Sequence, residues 1–135
     1  MSKDRGATPA IHTRSAAAEY WFPEGCYINE LANGPDDPAA SIAQARVPAG
    51  GTTRWHRLRD TTERYVILAG RGRVEVGEFP AQEVGPGDAV VIPPGCRQRI
   101  ANIGAADLVF LAICTPRFLQ AAYEDLEPGG SARAT

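Results

Sequence analysis

From residue 39 onward, short runs of β-branched and aromatic residues alternate with glycine- and proline-rich breaks. The runs cover 40–47, 52–57, 63–69, 72–76, 89–92, 98–102 and 108–114. The breaks are Pro48-Ala49-Gly50-Gly51, Gly85-Pro86-Gly87-Asp88, Pro93-Pro94-Gly95 and Gly104. Several short strands cut by turn residues at close spacing predict an all-β sandwich or barrel. The runs 65–68 and 108–114 are apolar at consecutive positions. That pattern suits a sheet with its inner face on the core and its outer face against another layer or subunit.

The flanks read differently. Residues 1–38 form an N-terminal arm with one or two short strands, including 26–31. Its Tyr20-Trp21-Phe22 patch is expected to pack on the barrel or on a partner subunit. The Asn33-Gly34-Pro35-Asp36-Asp37-Pro38 segment is turn chemistry. Residues 39–116 make the barrel. In 117–135 the pattern after Pro116 predicts one short amphipathic helix, followed by a disordered tail from Pro128.

A chain of 135 residues is most simply one domain with a real core. With 44% apolar residues, 22% charged residues and a net charge of −2, it is neither a disordered chain nor a generally basic nucleic-acid binder. No apolar run reaches membrane-span length, and the first residues lack a signal-peptide layout. The expected compartment is the cytoplasm. Cys26, Cys96 and Cys114 are odd in number and form no C-x2-C pair, which predicts reduced packing thiols.

Alternation along strands sets candidate faces. His56 shares a face with Arg54 and Leu58, opposite Trp55 and Arg57. Glu63 shares one with Tyr65, and Gln98 with Cys96 and Ile100. An inward carboxylate such as Glu63 needs a metal, an arginine or a proton. Without a metal, burial raises its pKa towards that of a proton donor or acceptor near neutral pH; were His56 to share its pocket, the two would form a metal-free acid/base pair.

Two stretches carry a family likeness: GGTTRWHRLRDTTERYVILAG at 50–70 and GDAVVIPPGCRQRIAN at 87–102. They resemble the paired motifs of the cupin superfamily, G-x5-H-x-H-x4-E-x6-G and G-x5-P-x-G-x2-H-x3-N, in register at every fixed position but two. Leu58 and Gln98 stand where the family has histidines. The resemblance implies a double-stranded β-helix, or jelly roll, often homodimeric. It also brings His56, Glu63 and Gln98 into one pocket, with Arg54, Leu58, Tyr65 and Cys96 around them.

In cupins the matching positions bind a divalent transition metal such as zinc, manganese, nickel or iron through three histidines and a glutamate. Here His56 and Glu63 match, Leu58 cannot ligate, and Gln98 offers a weaker amide oxygen. A degenerate metal site and a metal-free pocket both stay open. The first expectation is an enzyme performing isomerisation, cyclisation or elimination on a small polar or carboxylate-bearing molecule through His56 and Glu63. The alternatives are a non-catalytic ligand-binding or sensing barrel and a structural dimer with a relic site.

Overall fold

The computed structural model describes residues 6–127. Its elements are almost all strands: β1 (Tyr20–Phe22), β2 (Cys26–Ala32), β3 (Ser41–Val47), β4 (His56–Leu58), β5 (Thr62–Ala69), β6 (Gly72–Val76), β7 (Gln82–Val84), β8 (Ala89–Ile92), β9 (Gln98–Asn102), β10 (Leu108–Thr115) and β11 (Tyr123–Asp125). They form a six-stranded sheet in the order β1-β2-β3-β10-β5-β8 and a five-stranded sheet in the order β11-β4-β9-β6-β7. All named pairs are antiparallel. The strand-and-turn pattern predicts an all-β fold, and the jelly roll is the one that the cupin resemblance implies.

The inner faces meet in one core. Tyr65, Ile67, Leu108, Phe110, Ala45 and Val47 come from the larger sheet, and Val74, Val84 and Ile100 from the smaller. Alternation is clean where strands are regular: β9 reads buried at Gln98, Ile100 and Asn102. Asn102 bonds the carbonyls of Val47 and Ala106 and accepts from Gly104 N–H, so it ties the turn after β9 to the larger sheet. Gly70 sits at φ 87°, and an added Cβ would lie 2.5 Å from the Asp107 carbonyl oxygen, so the β5–β6 turn needs a glycine there.

Two local expectations change. The run 52–57 is not one strand: Thr52 makes an isolated bridge to Ala101, and the regular strand begins only at His56. The expected C-terminal helix is a single 3-10 turn, Gln120–Ala122, running into β11. Its backbone partners explain why. Arg59 N–H bonds the Ala122 carbonyl and Leu126 N–H bonds the Trp55 carbonyl, so the β4 edge captures the segment as a strand. The predicted tail from Pro128 lies outside the described residues. The arm supplies both β1 and β2, which extend the larger sheet and bring Cys26 into the core.

Candidate functional site

His56 opens β4 and is 2% exposed. Its Nδ1 donates to the Arg54 carbonyl at 2.7 Å; a carbonyl only accepts, so Nδ1 carries the proton. That leaves Nε2 facing inward, 3.6 Å from Glu24 Oε1 and with no hydrogen bond among the described residues. The Tyr123 ring from β11 stacks on the imidazole, with centroids 5.1 Å apart and planes 19° from parallel.

Glu24 sits in the tight turn between β1 and β2. Gly25 N–H bonds the Phe22 carbonyl, and Arg54 N–H bonds the Glu24 carbonyl, so the backbone fixes this acid beside the loop that carries His56. Gly25 has φ 111°, and a Cβ there would lie 3.2 Å from the Thr52 carbonyl oxygen; the close approach of turn and loop depends on it.

Glu63 faces His56 from the opposite sheet, on β5. Its Oε1 is buried without a hydrogen-bond partner. Burial pushes its carboxyl up to about 7; the Glu24 carboxyl adds to the rise, while His56 and the Gln98 side chain pull the other way. Glu24 is also raised, chiefly by burial, with His56 opposing. The two acids therefore hold their protons more tightly than free carboxylates do.

Gln98 lies directly across from His56 in the β4–β9 pairing. Tyr65 donates its phenol proton to Gln98 Oε1 at 2.6 Å, and Gln98 Nε2 is buried without a partner. These side chains surround a cavity of about 70 Å³, larger than one water needs. Glu24, His56, Leu58, Glu63 and Tyr65 line it, and Phe22, Phe110, Phe118 and Tyr123 close its sides. Tyr20 and Glu30, both exposed, line its solvent end.

His56, Glu63, Leu58 and Tyr65 thus meet at one cavity, with Gln98 bonded behind Tyr65. Arg54 and Cys96 do not line it. Strand alternation does not extend back from β4 to Arg54, whose guanidinium turns to Asp125 at 2.9 Å and Glu127 at 3.5 Å. Cys96 precedes β9, and its sulfur packs beside Gly77. Burial raises the Cys26 and Cys114 thiols, which suits packing rather than nucleophilic roles. Sequence reasoning missed Glu24, Phe118 and Tyr123. For Glu24 the available signal was an acid beside a glycine in a turn, Pro23-Glu24-Gly25.

The comparisons agree with this architecture. The Cupin domain family matches residues 43–114, and the chain belongs to that family. An uncharacterized protein of Methanocaldococcus jannaschii, MJ1618, is 37% identical over 87 residues, 64% of this chain; the chain spans 66% of that relative's length. Among solved structures, KdgF from Halomonas sp. superposes with a TM-score of 0.70 at 16% identity, covering 81% of this chain and 96% of that one. Pac13, a Streptomyces protein described as a nucleoside dehydratase, superposes with a TM-score of 0.71 at 14% identity, covering 87% and 92%. At these identities the structures bear on the fold.

The family's three-histidine, one-glutamate metal set does not fit the donors present. Leu58 is an apolar wall at one position. At another, the amide oxygen of Gln98 already accepts the Tyr65 proton. Among the described residues, no three His, Cys, Asp or Glu side chains converge as a metal cage. Binding through His56, Glu63 and Gln98 would leave to the metal only the second lone pair of an amide oxygen that already accepts from Tyr65.

Proposed function

We propose that the cavity is an active site for proton transfer on a small molecule, in an isomerisation, cyclisation or elimination. One observation carries this reading: His56 and Glu63, from opposite sheets, line one cavity, where Glu63 Oε1 is buried without a hydrogen-bond partner and His56 Nε2 makes no hydrogen bond among the described residues. In the neutral ring the proton is on Nδ1, which bonds the Arg54 carbonyl, so the Nε2 lone pair is the base. Glu63, protonated up to about 7, is the acid.

In an elimination, Nε2 takes a C–H proton, and the C–H electron pair becomes the new double bond. The bond to a leaving oxygen breaks, and Glu63 gives that oxygen its proton. In an isomerisation the same pair removes a proton at one atom and returns one at another. Glu24 Oε1, 3.6 Å from Nε2, is placed to stabilise the imidazolium formed in either case. The likeness to a nucleoside dehydratase is in keeping with elimination chemistry on such a barrel.

The test is deuterium exchange: small carbonyl and hydroxy compounds are incubated with protein in D2O and followed by NMR. Exchange at carbon that disappears in His56→Ala and Glu63→Gln supports the reading. A compound that binds at the cavity without exchanging supports a second reading, a non-catalytic sensing barrel. That reading is favoured by Leu58 and Gln98, an apolar wall and an amide in place of two histidines. We also propose a homodimer built on the outer face of the larger sheet, where Leu68 and Val91 are exposed; sedimentation velocity gives the mass that decides it.

A further inference from the structure

The ionisable side chains lining the cavity are unbalanced. Three are glutamates, Glu24, Glu30 and Glu63, and one is a histidine; among the described residues no lysine or arginine lines it. The nearby arginines are committed elsewhere: Arg54 to Asp125 and Glu127, and Arg117 to Asn33 Oδ1 at 2.9 Å. An anionic guest would enter a partly desolvated space among carboxyl groups, with no cation to meet it.

The walls favour the opposite charge. Tyr20, Phe22, Phe118 and Tyr123 present rings around the cavity. Tyr20 and Glu30 both line the solvent end; burial raises the Tyr20 phenol, and the Glu30 charge adds to the rise. A ring face beside a carboxylate is a setting that holds an ammonium group by combined charge and cation–π attraction. Independently of the acids, buried His56 turns an unbonded Nε2 into the cavity, which calls for a polar guest rather than an empty apolar void.

We infer that the cavity takes a small organic amine in its ammonium form, with the cationic end at Tyr20 and Glu30 and the reacting end at His56 and Glu63. This rests on the proton-transfer reading of the same site and narrows its substrate class away from carboxylates and phosphates. The exposed Glu30 carboxylate carries the attraction at the rim, which leaves the deeper acid/base pair free for chemistry.

The full chain is titrated with a matched trio, butylamine, butanol and butyrate, by calorimetry and by NMR of the His56 ring. The chain has only two histidines, and His12→Gln assigns the second signal. Butylamine is expected to bind about tenfold more tightly than butanol, with butyrate weakest. Glu30→Gln should remove most of the amine's advantage while leaving butanol unchanged. Butyrate or butanol binding as tightly as butylamine, with the His56 signal moving, overturns the amine assignment and keeps the pocket. If none of the three moves the His56 signal, the amine assignment falls, and an absence of exchange in the deuterium assay then removes the proton-transfer reading as well. Equal loss of amine and alcohol in Glu30→Gln also counts against the assignment, because it marks a structural rather than a charge-selective role.

Discussion

Tyr65 and Gln98 are joined by a 2.6 Å hydrogen bond from phenol to amide oxygen, and both side chains are almost fully buried. Burial and the neighbouring Glu63 raise the phenol pKa well above its ordinary value, so Tyr65 remains the donor. Removing that O–H leaves the amide oxygen unpaired beside an Nε2 that already lacks a partner. Tyr65→Phe should therefore cost roughly 1–3 kcal/mol of stability, measured by urea unfolding. Adding Gln98→Leu should recover part of the loss, since an apolar pair has no polar group to strand. A single Tyr65→Phe variant as stable as the parent would show that the bond contributes nothing net.

Glu63 makes the fold sensitive to pH in a defined direction. Its folded pKa of about 7 lies above the ordinary 4.5, because burial penalises the ionised form. Between those values the unfolded chain releases the proton while the folded chain keeps it, so this group's contribution is full below 4.5 and is lost as pH rises towards about 7. Raised Glu24 acts with the same sign. Glu63→Gln removes the ionisation. Its melting temperature relative to the parent should climb across that window and then level off. A difference that stays constant with pH would place the Glu63 carboxyl in ordinary solvent.

The His56 tautomer follows from a single contact, the 2.7 Å bond from Nδ1 to the Arg54 carbonyl. In the neutral ring the proton sits on Nδ1 and Nε2 is bare. Long-range nitrogen–proton NMR should show a protonated-type Nδ1 and an unprotonated-type Nε2. The reverse pattern would deny the cavity its base.

How legible the molecule is from its sequence depends on how regular each strand is. β6, β8 and β9 are readable to the residue because turn residues bound them and their side chains alternate or run apolar. The same alternation places Glu63 with Tyr65 and His56 with Leu58. It fails for Arg54 and Cys96, which precede the regular strands and follow loop geometry instead. Glu24 and Tyr123 reach the cavity through long-range backbone pairing, Glu24 to Arg54 and the β11 segment to β4. Local sequence carries no record of such pairings. The helical pattern after Pro116 is real as a pattern, but the open edge of β4 decides its conformation.

That edge pairing is reinforced by charge. Arg54 bonds Asp125 and approaches Glu127, Arg57 bonds Glu124 at 2.6 Å, and Glu127 accepts the Trp55 N–H. The Arg54–Asp125 pair is largely shielded from water, so cutting one member strands the other. Arg54→Ala should speed amide hydrogen exchange at Tyr123–Asp125 on the order of tenfold or more while sparing β10. Because Tyr123 stacks on His56, the imidazole signals should shift in the same variant. Unchanged exchange along β11 would mean that backbone pairing alone holds the strand.

The two departures from the family's metal set can be reversed. Leu58 is on the His56 face of β4 and lines the cavity; Gln98 is paired across from His56 on β9. Leu58→His with Gln98→His would place three imidazoles near Glu63 and free the Tyr65 phenol from its present acceptor. Imidazole is a far better donor than an amide for late first-row ions. The double variant is expected to bind cobalt or zinc stoichiometrically, with the visible spectrum of bound Co(II) as the readout, whereas each single variant should bind much more weakly. Restoring only Gln98→His tests the contribution of one ligand, and adding Glu63→Gln to the double variant should weaken binding again. A folded double variant that takes up no metal would mean that Leu58, Gln98 and Glu63 do not converge on His56, and with that the cavity would lose the geometry on which the proton-transfer reading stands.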